Sequence, residues 1–169
     1  MQNIITLLFC VVLTMIAYYD FKYRALPVYL LVMAIVFGIL VSISRNGLSF
    51  VLFNTGVNAL LISLQLSLTT LYFSVRNRKF INIFDSYLGI GDLIFFLVII
   101  LCFSPVNFIL FIIISGFFTI LFYAGRKNGT LIPLAGNQAV MLCTIFLSGL
   151  ISGIIQPYND LFLIDIFFN

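Results

Sequence analysis

Gly89-Ile90-Gly91-Asp92-Leu93-Ile94-Phe95-Phe96-Leu97-Val98-Ile99-Ile100-Leu101-Cys102 is a carboxylate framed by glycines and followed by an unbroken apolar run. The run has no alternation of polar and apolar positions, so it reads as a buried or lipid-facing helix and not as a strand of a membrane barrel. Runs of the same kind recur along the chain. Of its 169 residues 63% are hydrophobic and 8% charged, and the mean hydropathy is +1.26. That composition excludes an ordinary soluble domain. The chain reads as an all-α integral membrane protein, a polytopic bundle of about six transmembrane helices forming a single domain over 1–169. The expected spans are 3–19, 26–43, 48–75, 90–104, 106–124 and 133–155. A helix needs about 20 apolar residues to cross a bilayer. The fourth run is short for that and fits a helix that begins below the membrane surface. The third is long, so it should tilt, bend or project. Asn54, Gly56 and Asn58 mark the expected bend.

Segments outside these runs carry weaker expectations. Residues 80–88 suggest an interfacial segment, and 156–169 a tail on the membrane surface. The N-terminal run has no basic region before it and no small-residue cleavage signal, so it reads as a permanent helix. Ala59, Ser63 and Ser67, and likewise Gly149 and Gly153, form small-residue stripes expected to pack helices closely. Tyr18, Tyr19, Tyr23 and Tyr29 read as an interfacial aromatic belt.

A second carboxylate resembles the first in its setting. Asp20 directly follows the first apolar run, in Asp20-Phe21-Lys22-Tyr23-Arg24-Ala25-Leu26-Pro27. The chain has only 5 acidic residues and no histidine. An ionisable group at a membrane span is a functional candidate, because placing it in the bilayer centre costs roughly 2.5–3.5 kcal/mol on insertion scales. Without histidine there is no Ser-His or Cys-His dyad and no HExxH zinc site. Cys10, Cys102 and Cys143 are far apart and lie inside apolar runs, which suits small buried side chains and not a zinc or disulfide framework. No cofactor, metal or nucleic-acid partner is expected.

Lys22 and Arg24, then Arg76, Arg78 and Lys79, then Arg126 and Lys127 fall in alternate loops, and only Arg45 falls in the others. This asymmetry predicts that the three basic loops are cytoplasmic and both termini are outside. Asp20 and Asp92 then share the cytoplasmic side.

Two carboxylates together can hydrolyse a peptide bond, one taking a proton from water while the other donates to the carbonyl oxygen. At ~4.5 Å and an effective dielectric of ~20, two negative charges repel by roughly 3–4 kcal/mol, so such a pair holds one proton. Asp92 near a helix start is the expected ionised partner, and Asp20 past a helix end the protonated one. Gly89 and Gly91 would give the turn its freedom and let a substrate strand approach. On the residues alone, structural carboxylates and an ion-coupling pair in a small transporter stand beside the catalytic reading.

At these positions the chain resembles the type IV prepilin peptidases, membrane aspartyl proteases with a Gly-x-Gly-Asp motif. Their first aspartate opens a segment like that formed by Asp20, Lys22, Leu26 and Pro27, and their second ends a segment like Gly89, Gly91 and Asp92. Ile132-Pro133-Leu134-Ala135 is similar to a later Ile-Pro segment. The resemblance implies six membrane helices, Asp20 and Asp92 as catalytic residues, and as substrate a prepilin-like precursor (pilin, pseudopilin or archaellin-type) cleaved at its basic leader. The chain departs from the family at Val28 and Ile94, where asparagine and lysine are common. It lacks the paired-cysteine insertion of the long members and is similar to the short, peptidase-only form, without methyltransferase activity.

Overall fold

The computed structural model describes residues 2–80, 89–123, 133–153 and 157–160. Six helices occupy them: α1 (Gln2–Tyr23), α2 (Val28–Asn46), α3 (Leu48–Arg76), α4 (Ile90–Cys102), α5 (Pro105–Tyr123) and α6 (Leu134–Ser152). No strand occurs among the described residues. Five helices are long and apolar enough to cross a membrane, and α4 is the shorter one. The protein is therefore an all-helical, multi-pass membrane protein.

Local chemistry sets the breaks. Arg24 enters the left-handed region and ends α1, and Pro27 precedes the first residue of α2, where its missing N–H costs nothing. Gly47, with φ +78°, makes the one-residue corner between α2 and α3. Gly153 closes α6 in the left-handed conformation, its N–H bonded to the Gly149 carbonyl.

The centre of the bundle is α1, which packs on α2 and α6, with α4 against α2. Phe9, Leu13 and Ile16 of α1 are fully buried, as are Phe95, Val98 and Ile99 of α4 and Ala139 and Leu142 of α6. Helices α3 and α5 are peripheral, and most of their apolar side chains face outward, as lipid contact demands. Gln2 bonds the Ser44 carbonyl and Arg45 the Thr6 hydroxyl, so the start of α1 lies beside the end of α2. That is the far end from Asp20. There Asp160 accepts from the Ser104 hydroxyl and from the Val106 and Asn107 amides, capping α5. Tyr158 is buried nearby and hydrogen-bonds Ser42.

Several expectations are corrected. Helix α1 continues through Tyr23, so Asp20 lies in its last turn and not in a loop after it. Helix α3 is unbroken from Leu48 to Arg76, with no interruption at Gly56. Asn58 instead is fully buried and donates to the carbonyls of Ile100 and Phe103, which the C-terminal end of α4 leaves free. Ser63 and Ser67 do not pack helices within the chain: they are exposed, and each bonds a carbonyl of its own helix. The exposed Tyr18 and Tyr23 fit an interfacial belt, with the Lys22 ammonium over both rings. Cys10, Cys102 and Cys143 are free and buried, although the fold brings the Cys143 thiol to 3.7 Å from the Cys10 carbonyl. Segment 81–88, the basic residues Arg126 and Lys127, and most of the tail lie outside the described residues.

The pair of α3 and α4 sets the depth of the site. From the level of Asn58, α3 rises ~27 Å to Arg76, whereas α4 rises only ~12 Å from Ile100 back to Asp92. Asp92 thus lies well short of the basic end of α3 along that helix. The short fourth run has this consequence: its start lies below the end of its neighbour.

Candidate active site

Asp20 is carried by the stripe Phe9, Leu13, Ile16 and Asp20, whose spacing puts all four on the inner face of α1. It is buried, with 7% of its surface exposed. Asp92 stands on the matching stripe of α4 with Phe95, Phe96 and Ile99. The α1 stripe faces α6, where the Phe9 ring meets Phe146 edge-on, whereas α4 packs mainly on α2.

The two carboxylates meet at the first turn of α6. Asp92 Oδ1 accepts from the Ala135 amide at 3.0 Å, and Asp20 Oδ2 accepts from the Gly136 amide at 2.6 Å. These amides belong to consecutive residues, whose Cα atoms are about 3.8 Å apart, so the two acceptor oxygens are separated by less than about 10 Å. A helix start leaves its first N–H groups without partners inside the helix and carries a partial positive charge. Two carboxylates fixed on one such terminus are held together by a common donor edge. Asp92 also feels the charge of Asp20 and takes a bond from the Gly89 amide. The Arg24 guanidinium contributes an attractive charge at Asp20.

Comparison with family models, curated proteins and solved structures finds no match.

The expected roles of the glycines change. Gly89 has φ −70° and ψ 147°, ordinary extended backbone, and Gly91 is helical without positive φ. Neither position uses a conformation reserved for glycine. Space is the reason instead. A Cβ on Gly91 would lie 3.1 Å from Leu26 Cδ1, and one on Gly89 would lie 3.3 Å from Asp92 Oδ2. Asp92 is the third residue inside α4 rather than its N-cap. Its carboxylate reaches back to the Gly89 amide as the third residue of a capping box does.

Gly136 is the residue that sequence reasoning missed. A Cβ there would lie 2.9 Å from Asp20 Oδ2, 3.1 Å from its Cβ and 3.4 Å from its Cγ. Only a residue without a side chain lets α1 bring Asp20 onto the end of α6. The sequence signal was Pro133-Leu134-Ala135-Gly136, a proline before a helix and then small residues. The start of α6 donates to both carboxylates, a contribution that their own helix ends did not foretell. Lys22 is exposed and bonds Tyr18, not a carboxylate. Among the described residues no group of three side chains could hold a metal ion.

Proposed function

We propose that this protein is a membrane aspartyl endopeptidase that cleaves the basic leader from prepilin-like precursors, as its resemblance to the type IV prepilin peptidases implies. One observation carries the reading: carboxylates from segments far apart in sequence converge on consecutive amides of α6. In the proposed reaction a water lies between the carboxylates and the scissile carbonyl. The ionised aspartate takes a proton from the water as its oxygen attacks the carbonyl carbon. The protonated aspartate gives its proton to the carbonyl oxygen. Collapse of the resulting diol, with proton transfer to the amide nitrogen, breaks the C–N bond and frees a carboxyl and a new amino terminus. The recess of Asp92 below the end of α3 suits a bond near the start of the precursor's own apolar helix.

The basic loops favour a cytoplasmic-membrane protein with the aspartates on the cytoplasmic side and both termini outside. Labelling of single cysteines at positions 22 and 77 tests this: both should react from the cytoplasmic side, and reaction from opposite sides would remove the topology.

The catalytic test uses Asp20→Asn, Asp92→Asn and the double variant, with expression matched. Each should abolish conversion of a purified precursor, and the double should cost little more, because a pair acting as one unit is not additive. Asp85→Asn, outside both motifs, should retain activity. Cleavage by Asp92→Asn at the wild-type rate would end the peptidase reading. A second reading has one observation in its favour: both carboxylates also satisfy helix-end amides, as structural caps would. In that case the protein is a small transporter or assembly subunit that uses the pair for ion coupling or packing. The same variants would then lose stability or transport and not proteolysis.

A further inference from the structure

A cleft of about 740 Å³ runs between α1, α5 and α6. Phe21 and Asn137, the residues directly after Asp20 and Gly136, line its inner end, and the carboxylates themselves do not. Phe118, Phe122 and Val140 form its outer walls, all on helices apolar enough to cross a membrane and all exposed. The cleft therefore opens sideways, towards lipid, and not only towards water.

Its polar groups say what could occupy it. Among the described residues the Asn137 side chain has one partner, the Thr119 hydroxyl, at a long 3.5 Å. Thr144 sits further along the same wall, bonded to its own helix. An amide with donor and acceptor capacity to spare in a largely apolar cleft favours an occupant that supplies polar groups. An acyl chain supplies none. A polypeptide supplies them where its helix ends or unwinds, because its terminal N–H and C=O groups are free there.

We propose that this cleft receives the apolar helix of a membrane-anchored polypeptide substrate, with Asn137 bonding the unwound backbone next to the scissile bond. The proposal rests on the peptidase reading and adds the route and the positioning residue. Phe21 of α1 and the stacked Phe118 and Phe122 of α5 hold the helix from two sides. Asn137 holds the extended residues that lead from it to Asp20 and Asp92. The substrate enters laterally from the bilayer and never leaves it.

Two arms test this. The first is kinetic. Val140→Trp and Thr144→Trp fill the cleft, and Asn137→Leu removes its amide. Val36→Trp, on the exposed face of α2, is the control. For a full-length prepilin-like precursor in lipid vesicles, the three cleft variants should raise KM at least tenfold. Val36→Trp should stay within twofold of wild type. On a short soluble peptide carrying only the cleavage segment, the two Trp variants should lose clearly less than on the full precursor, because that peptide has no helix to seat. Unchanged KM on the full precursor, or equal losses on both substrates, would overturn the proposal. The second arm needs no turnover. A photo-crosslinking residue at position 140 in the Asp92→Asn protein should capture the precursor through its apolar helix. Capture of lipid alone, or of the precursor equally from position 36, would overturn it. Failure of wild type to cleave any precursor removes the peptidase reading, and the crosslinks still decide what the cleft holds.

Discussion

Substituting Gly136 by alanine isolates the contact that builds the site. The added Cβ would lie 2.9 Å from Asp20 Oδ2 and 3.1 Å from Asp20 Cβ. The first clash could be relieved by rotating the carboxylate. The second cannot, because Asp20 Cβ is fixed to the backbone of α1 in its last turn. Restoring ordinary contact therefore moves α1 or α6 by a few tenths of an ångström to about 0.5 Å. It also stretches or breaks the 2.6 Å bond from the Gly136 amide to Asp20. A hydrogen bond to a charged group contributes about 1.5–3 kcal/mol, and overpacking costs about 1–3 kcal/mol. Alanine offsets up to ~1 kcal/mol of this through its better helix propensity. The expected outcome is a modest loss of stability with a larger loss of activity. A misplacement near 1 Å costs about a hundredfold in rate, so a roughly 10–100-fold fall in kcat is expected. The assay is precursor conversion in vesicles, with thermal unfolding measured on the same preparations. Gly56→Ala is the control, since a Cβ there meets nothing within 4 Å. Cleavage by Gly136→Ala within twofold of wild type would show that the α6 start does not position the pair. Gly91→Ala should cost less than Gly136→Ala, because the atom it meets is the end of the Leu26 side chain.

The pH profile should be bell-shaped, because the proposed pair works with one proton. Activity should fall in acid, where both carboxyls are protonated and no base remains, and in alkali, where both are ionised and no acid remains. A rise to a plateau without an alkaline limb would refute proton sharing. Asn58→Leu should lower stability by about 2–4 kcal/mol, since two carbonyls at the end of α4 lose their donor in a buried place. Denaturation of the purified protein in mild detergent reads this, and a change below about 1 kcal/mol would count against the role assigned to Asn58.

Much of the architecture is dictated by the order of residues. Apolar runs too long and too continuous for a soluble core fix six helices, and the charged, proline and glycine breaks fix their ends to within a few residues. The inner stripes were legible as well: Phe9, Leu13, Ile16 and Asp20 share one face of any helix that continues past residue 19, and Asp92 shares one with Phe95, Phe96 and Ile99. Gly89 and Gly91 were visible, but their reason was not, because the crowding of Gly91 against Leu26 exists only once the α1–α2 connection is packed on the start of α4. Asn58 read as a bend for the same reason: its partners are carbonyls more than forty residues away. Only the tertiary structure decided that Asp20 and Asp92 meet, and that they do so on α6. A helix start offers its unpaired amides to whatever lies in front of it, and no local pattern at 133–136 states what that will be. The absence of a side chain at Gly136 gains its meaning only from the carboxylate that packing brings against it.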